Sequence, residues 1–474
     1  MTTAFIKQQE ILDASIDKKL WALFCEAGTG KTFMAIKTAE HWWNKEQVDC
    51  VLVICPKTLI FGTWISVELP KHSSIPFNSW GWKSSFTKTM KSDLIAKIKD
   101  KTKLLYVIVN HDALCSKNFL PVYNTLMKFR KTGFVYDEST AIKSQSTDRA
   151  KAAIAMGKAA VFKRIMTGTP ITEGPLDVFA QTEFLEEGIL GFKSYFSMKT
   201  RYCEIRMKKF GARSFPEIIG YRDLDNLYSR LEKFSSFLKL RDCVDMPEQV
   251  FSSIAVEMTP EQETHYKTLR KMAIAWIEEH EVTAVNALAL MRKLHQVAVG
   301  QMKIDDTTYV SIPNNRLETL KGIMDESNHQ VIIWSVYRNS TLDILKYLGT
   351  RAVGISVKHS PEQRSDLIDR WKKGNYQGIV LNQASAAHGL TLIEGLTSVF
   401  YSNDFSLERR LQALRRTWRL GQTQRTRVID LFAPGTVEVG ILNSLIAKEE
   451  IANIAIDKKG LTDLIDGIVP IKRK

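Results

Sequence analysis

Short apolar runs alternate along the chain with longer stretches whose apolar residues recur at helical spacing. That pattern predicts an α/β protein built on parallel sheets. In the first part the predicted strands are Val51–Cys55, Leu104–Val109, Phe134–Tyr136 and Arg164–Met166. Each ends in polar or small residues, where ligands gather at the carboxyl edge of such a sheet. In the second part they are Val331–Trp334, Ala352–Ile355, Gly378–Leu381, Val399–Ser402 and Val428–Phe432. Two similar α/β lobes are therefore expected. Between them, from about residue 185 to 320, the texture changes to Lys- and aromatic-rich stretches with little strand pattern. Phe192–Arg206, Leu224–Leu240 and Glu261–Glu281 read as helices there, with a turn at Met246-Pro247-Glu248. The chain thus divides into a first lobe at 1–185, a mostly helical insertion at 186–320 and a second lobe at 321–474. The ending Ile471–Lys474 reads as a frayed basic tail.

Length and composition bound the picture without deciding it. A chain of 474 residues holds two or three domains with real cores. Lys and Arg exceed Asp and Glu by 66 − 52 = 14, an excess that favours a polyanionic partner, most simply nucleic acid. The six cysteines, at 25, 50, 55, 115, 203 and 243, form no Cys-x-x-Cys, which argues against structural zinc and suits a reducing cytoplasm. The first ten residues do not read as a signal peptide, and no apolar run approaches the ~20 residues of a membrane span. No membrane association is expected.

Three segments carry chemistry. Glu26-Ala27-Gly28-Thr29-Gly30-Lys31-Thr32 follows an apolar stretch and opens a helical pattern, Phe33–Trp43. The glycines let backbone amides close on phosphates, Lys31 reaches the terminal phosphates and Thr32 can ligate magnesium. Cys25 stands where the strict phosphate-loop pattern has Gly. Asp137-Glu138 follows a predicted strand and fits the Walker B acidic pair that accompanies a phosphate loop. Asp137 would hold magnesium through water, and Glu138 would polarise the attacking water. Far downstream, Gln412-Ala413-Leu414-Arg415-Arg416-Thr417-Trp418-Arg419-Leu420-Gly421-Gln422 sets Arg416 and Arg419 three apart, on one face if both lie on a helix. Two guanidiniums on one face suit a triphosphate.

That last run resembles motif VI of the Swi/Snf-type ATPases, a branch of the superfamily-two helicases. The resemblance extends from Gln8 to about Thr436 and implies two RecA-like lobes, with Arg416 and Arg419 acting as fingers on ATP held by the other lobe. Asp137-Glu138-Ser139-Thr140-Ala141-Ile142-Lys143 is similar to the family's Asp-Glu-x-His-x-Ile-Lys. Thr140 replaces the His, which puts in doubt the hydrogen bond tying this motif to the next. Met166–Ile171 resembles the Thr-Gly-Thr-Pro motif, and its hydroxyls at Thr167 and Thr169 could couple nucleotide state to lobe position. Gln8 fits the adenine-reading Q motif best, with Gln9 an alternative, and the resemblance adds Gly389 and Gln412 as nucleotide contacts. Nucleic-acid contacts are implied at Lys57 and Thr58, with Trp64 beyond, at Asn110 and His111, at Arg338, and at Ser385. Ala387 and His388 depart from the usual Gly-rich form of that last motif.

The expected protein is a monomeric, cytoplasmic, ATP- and Mg2+-dependent motor of bacterial or phage type. Its implied action is translocation along duplex DNA, with protein partners unspecified. A strand-separating or fork-remodelling helicase is the alternative within the enzyme class. A DNA-binding scaffold with a vestigial ATPase is the alternative outside it.

Overall fold

The computed structural model describes residues 4–210, 213–279, 284–304, 308–356, 359–384 and 390–456. The chain forms two compact units, the second being Met246–Ala447 and the first comprising the residues before it together with those from Lys448 on. The segment that carries little strand pattern in the sequence is therefore divided between them.

The first unit is built on nine strands: β1 (Leu20–Cys25), β2 (Cys50–Cys55), β3 (Phe77–Gly81), β4 (Leu104–Asn110), β5 (Thr132–Asp137), β6 (Lys163–Thr167), β7 (Cys203–Phe210), β8 (Arg213–Tyr221) and β9 (Ser235–Leu238). Seven of them form one sheet in the order β3-β4-β2-β5-β6-β1-β9. All its pairings are parallel. Helices cover both faces, so a central strand such as Cys50-Val51-Leu52-Val53-Ile54-Cys55 is buried at every position. Trp42 and Trp64 lie fully inside this core. The phosphate-loop segment follows β1, Asp137 ends β5 and Thr167 ends β6, so all three open on the carboxyl edge of adjacent strands.

Two predicted helices stop early. The one expected over Leu224–Leu240 ends at Leu231, and Ser235–Leu238 is instead β9, on the sheet edge beside β1. Ser235 Oγ donates to Leu231 O at 2.7 Å and caps the helix end. The one expected over Phe192–Arg206 ends at Tyr202, where Cys203 begins a β7–β8 hairpin that sets Ile205 against Ile218. Cross-strand pairing is invisible to a one-dimensional helical period.

The second unit contributes β10 (Gln249–Ala255), β11 (Gln301–Lys303), β12 (Tyr309–Ser311), β13 (Gln330–Ser335), β14 (Ala352–Gly354), β15 (Gly378–Asn382), β16 (Gly395–Phe400) and β17 (Thr426–Phe432). Six form a parallel sheet in the order β10-β17-β16-β13-β15-β14. Along β13 the side chains alternate between two cores, Val331 and Ile333 in one, Ile332 and Trp334 in the other. One core is knotted by buried charge. Arg316 donates to Tyr401 O and Leu431 O and pairs with Glu438, which also meets His295 at 3.3 Å. Burial alone would raise the Glu438 carboxyl, but Arg316 and then His295 outweigh it and hold it below the usual range.

Candidate active site

The turn after β1 takes its shape from two glycines in the left-handed region, Gly28 at φ +87° and Gly30 at φ +83°. A Cβ at Gly30 would also lie 2.3 Å from Gln8 Nε2, so a larger residue would both strain the backbone and displace that amide. The helix Lys31–Asn44 begins immediately, which points its first amides and positive end at the loop. Lys31 is buried, and its ammonium donates to Cys25 O at 2.8 Å and Glu26 O at 3.2 Å, inside the curl of the loop. Thr29 is buried with its hydroxyl on Glu26 O, while Thr32 is half-buried in the first helical turn. Gln8 is nine-tenths buried or more, donating to Thr29 O at 2.9 Å and accepting from Phe5 N–H. Both ends of its amide are thus engaged locally, and Gln8 braces the loop. Gln9 is exposed and bonds Asp13.

Asp137 and Glu138 stand at the end of β5, two strands from β1. Burial, and then the Glu138 carboxylate, push Asp137 up to about 7 against the opposing pull of Lys31. A buried carboxylate so placed is short of positive charge, which fits a divalent cation. With Thr32, it offers the few oxygen ligands magnesium takes from protein at phosphate sites. Trp64 Nε1 donates to Asp137 Oδ2 at 3.1 Å. Glu138 adopts φ +53°, ψ +60°, a conformation costing a non-glycine residue about 1–2 kcal/mol. It is held there in part by Thr167 Oγ1, which donates to Glu138 Oε2 at 3.1 Å.

With Thr140 in place of His, the link between the acidic motif and the Thr-Gly-Thr-Pro turn runs through a different residue. Ser139 Oγ donates to Gln181 Oε1 at 2.7 Å, and Gln181 Nε2 donates to Pro170 O at 2.8 Å. Gln181 comes from the helix Val178–Leu185 and is fully buried. Lys143 adds a second tie, to Thr172 Oγ1 and Glu173. Thr169 is buried, with its N–H on Thr167 Oγ1. The sequence reading missed Gln181; a Gln on an otherwise apolar helix face was its only signal.

Of the implied nucleic-acid contacts, Lys57 and Thr58 are exposed on the loop after β2, and Asn110 is half-buried at the end of β4. His111 is turned inward. It donates to Asp137 O at 2.9 Å, stacks on Tyr136, and burial pushes its pKa down to about 4. It is neutral near pH 7 and serves the acidic motif's backbone. Arg338 is exposed at the start of the helix Arg338–Leu348, beside a cavity of about 700 Å3 that Asn339 and Tyr309 also line. Ser385 and Gly389 lie outside the described residues.

In the second unit the expectation that Arg416 and Arg419 share a helix face does not hold. The helix Leu407–Thr417 carries Arg416 in its last turn, and Arg419 falls in the turn beyond. The helix stops because Thr417 Oγ1 returns to Leu414 O, Trp418 Nε1 reaches Pro247 O, and Gly421 takes φ +97°. Arg419 is positioned by Thr391 Oγ1 at 2.9 Å. The helix itself is anchored by Arg410, bonded twice to Asp430 at 2.6 and 2.8 Å and buried over the Phe400 ring. Gln412 is half-buried and bonds Glu408.

A glycine loop feeding a helix, a buried lysine and an acidic pair at the same edge of one parallel sheet define a P-loop ATPase, here joined to a second parallel-sheet unit. The family profile described as SNF2-related domain matches residues 21–303, and the helicase conserved C-terminal domain matches residues 315–421. The chain belongs to the SNF2-related family of helicase-like ATPases. It is 24% identical to "Putative protein p41" of Acyrthosiphon pisum secondary endosymbiont phage 1, over 98% of each chain. It is 22% identical to the "SWI/SNF-related matrix-associated actin-dependent regulator of chromatin subfamily A-like protein 1" of Drosophila melanogaster, over 94% of this chain but 55% of that one. Among solved structures, the Sulfolobus solfataricus SWI2/SNF2 ATPase core in complex with dsDNA aligns at 19% identity and a TM-score of 0.41, covering 99% and 97% of the two chains. Among the described residues no helix is long and apolar enough to cross a membrane.

Proposed function

We propose that this SNF2-family ATPase is a motor that translocates along duplex DNA. The observation that carries the reading is the set Lys31, Asp137 and Glu138 at the ends of β1 and β5, with Thr167 on the strand between them bonded to Glu138 and Gln181 linking Ser139 to Pro170. Such ties make the hydrolytic residues and the turn respond together. Lys31 and the loop amides bind the phosphates. Asp137 and Thr32 would hold magnesium, which supplies charge neutralisation at the phosphate oxygens. Glu138 orients the attacking water and takes its proton, its carboxylate steadied by Thr167. Arg416 and Arg419 are the second unit's candidate phosphate-binding cations, and Gln412 is a candidate nucleotide contact on the same helix as Arg416. The partner reading rests on the net charge of +14 and on exposed Lys57, Thr58 and Arg338 at sheet-edge loops. Contacts of this kind address phosphates and carry little base information. The phage relative supports a bacterial cytoplasm as the place of action.

The test is ATP hydrolysis with no nucleic acid and with single-stranded DNA, duplex DNA, forked DNA or RNA, paired with triplex displacement. We expect duplex DNA to stimulate at least as well as single strands, and ATP to drive triplex displacement without separating the duplex. Fork unwinding without triplex displacement identifies a strand-separating helicase instead. Stimulation by RNA alone, or by nothing, refutes the substrate.

A further inference from the structure

Trp64 lies in the middle of a nine-residue π-helix, Ile60–Glu68, that leaves the exposed loop carrying Lys57 and Thr58. π-Helical turns are rare and concentrate at functional sites. Strands β2 and β5 are neighbours, with Ile54 opposite Tyr136, so the chain leaving β2 passes the end of β5 where Asp137 stands. The indole is 1% exposed, and its N–H donates to Asp137 Oδ2 at 3.1 Å. Packing alone does not demand such a partner. Trp42, Trp334 and Trp371 are equally buried, and their Nε1 atoms have no hydrogen-bond partner among the described residues. An indole offers one donor on a rigid ring, so a carboxylate bonded to it loses its freedom to rotate.

We propose that Trp64 is a positioning residue through which the Lys57–Thr58 loop sets the orientation of the Asp137 carboxylate. Nucleic acid on the loop moves the π-helix, the indole moves with it, and the carboxylate turns into or out of the geometry that holds the cation. The inference rests on the DNA-dependent ATPase reading given above.

The probe is Mn2+ binding to the ADP complex of the full chain, followed by electron paramagnetic resonance with and without duplex DNA. Trp64→Phe keeps an aromatic ring and removes the donor. Losing an outer partner of a metal ligand typically weakens metal binding about 10–100-fold. We expect Mn2+ affinity to fall about tenfold in Trp64→Phe, and the DNA-induced change in affinity seen in the wild type to disappear. Equal affinities in the two proteins, or an equal response to DNA, overturn the proposal. A wild type that binds no Mn2+·ADP contradicts the ATPase reading itself and so is distinguishable from failure of the link. If Trp64→Phe does not fold, benzothienylalanine at position 64 replaces the N–H by sulfur within the same ring outline and removes the donor alone.

Discussion

Gln181→Leu removes three side-chain hydrogen bonds while keeping the length of the side chain. Gln181 accepts from Ser139 at 2.7 Å and donates to the carbonyls of Pro170 and Asp177, both at 2.8 Å. The Asp177 carbonyl is one turn back and keeps the helical backbone bond. Ser139 Oγ and Pro170 O are the groups left stranded, and a stranded buried polar group costs about 1–3 kcal/mol. Leucine returns roughly 1 kcal/mol by burying apolar surface. The net destabilisation of the first unit should therefore be about 1–5 kcal/mol, which a domain of ordinary stability survives. Hydrogen exchange at the amides of β5 and β6 reports it locally, without assuming that the two units unfold together. Gln181 acts as a link, so a double-mutant cycle with Ser139→Ala decides its role: groups in direct contact show about 0.5–3 kcal/mol of coupling. Turnover should fall further than stability alone implies, since displacing a catalytic group by about 1 Å can cost on the order of 10²-fold. Nucleotide affinity, set mainly by Lys31, should change little. Strict additivity of the two substitutions, with turnover tracking only the folded fraction, refutes the idea that Gln181 carries the connection in place of the missing His.

Glu138→Gln should bind ATP normally and release no phosphate, whereas Lys31→Ala should lose binding as well; fluorescent-nucleotide titration beside phosphate release separates the two. Arg416→Ala or Arg419→Ala should lower turnover by roughly 10³–10⁵-fold, the worth of arginine fingers elsewhere, with nucleotide-free DNA binding unchanged. Collapse of DNA binding with turnover intact would make them DNA contacts instead. Glu438→Gln strands Arg316 and His295, and breaking a buried pair typically costs about 3–5 kcal/mol, measurable as a shift in the second unit's unfolding transition. Because the Glu438 carboxyl is held below its unfolded value, its stabilisation is present above the ordinary glutamate pKa of about 4.3 and is lost as pH falls through the folded value. Acid unfolding of the second unit should accordingly be less steep in Glu438→Gln.

The central strands of both sheets were legible in the sequence because parallel strands covered on both faces are unbroken apolar runs, as at Cys50–Cys55 and Gln330–Ser335. The edges were not. Phe77–Gly81, Ser235–Leu238 and Gln249–Ala255 are mixed in polarity and become strands only through the neighbour they pair with. The phosphate loop and acidic pair were legible because glycine at φ > 0 and carboxylates at a strand end leave a local signature. The routes between motifs were not, since Trp64, Gln181 and Arg410 lie 73, 42 and 20 residues from the partners they hold. His111 carries a contact the sequence did not suggest: its ring bonds Asp137 O, 26 residues away.

The last strand before the chain crosses to the second unit lies directly against the strand that feeds the phosphate loop. β9 pairs with β1 from Ala22–Ser235 to Cys25–Leu238. Beyond it, Glu26 N–H donates to Leu238 O, Leu240 N–H donates to Glu26 Oε2, and Leu240 packs 3.6 Å from where a Gly28 side chain would begin. Because β9 and β1 run parallel and side by side, a force along the strand axis would load several of their hydrogen bonds at once instead of peeling them singly. Since Ser235–Leu240 brace the turn that follows β1, in an optical trap ATP off-rate measured against opposing force should be the quantity most sensitive to substitutions in Ser235–Leu240.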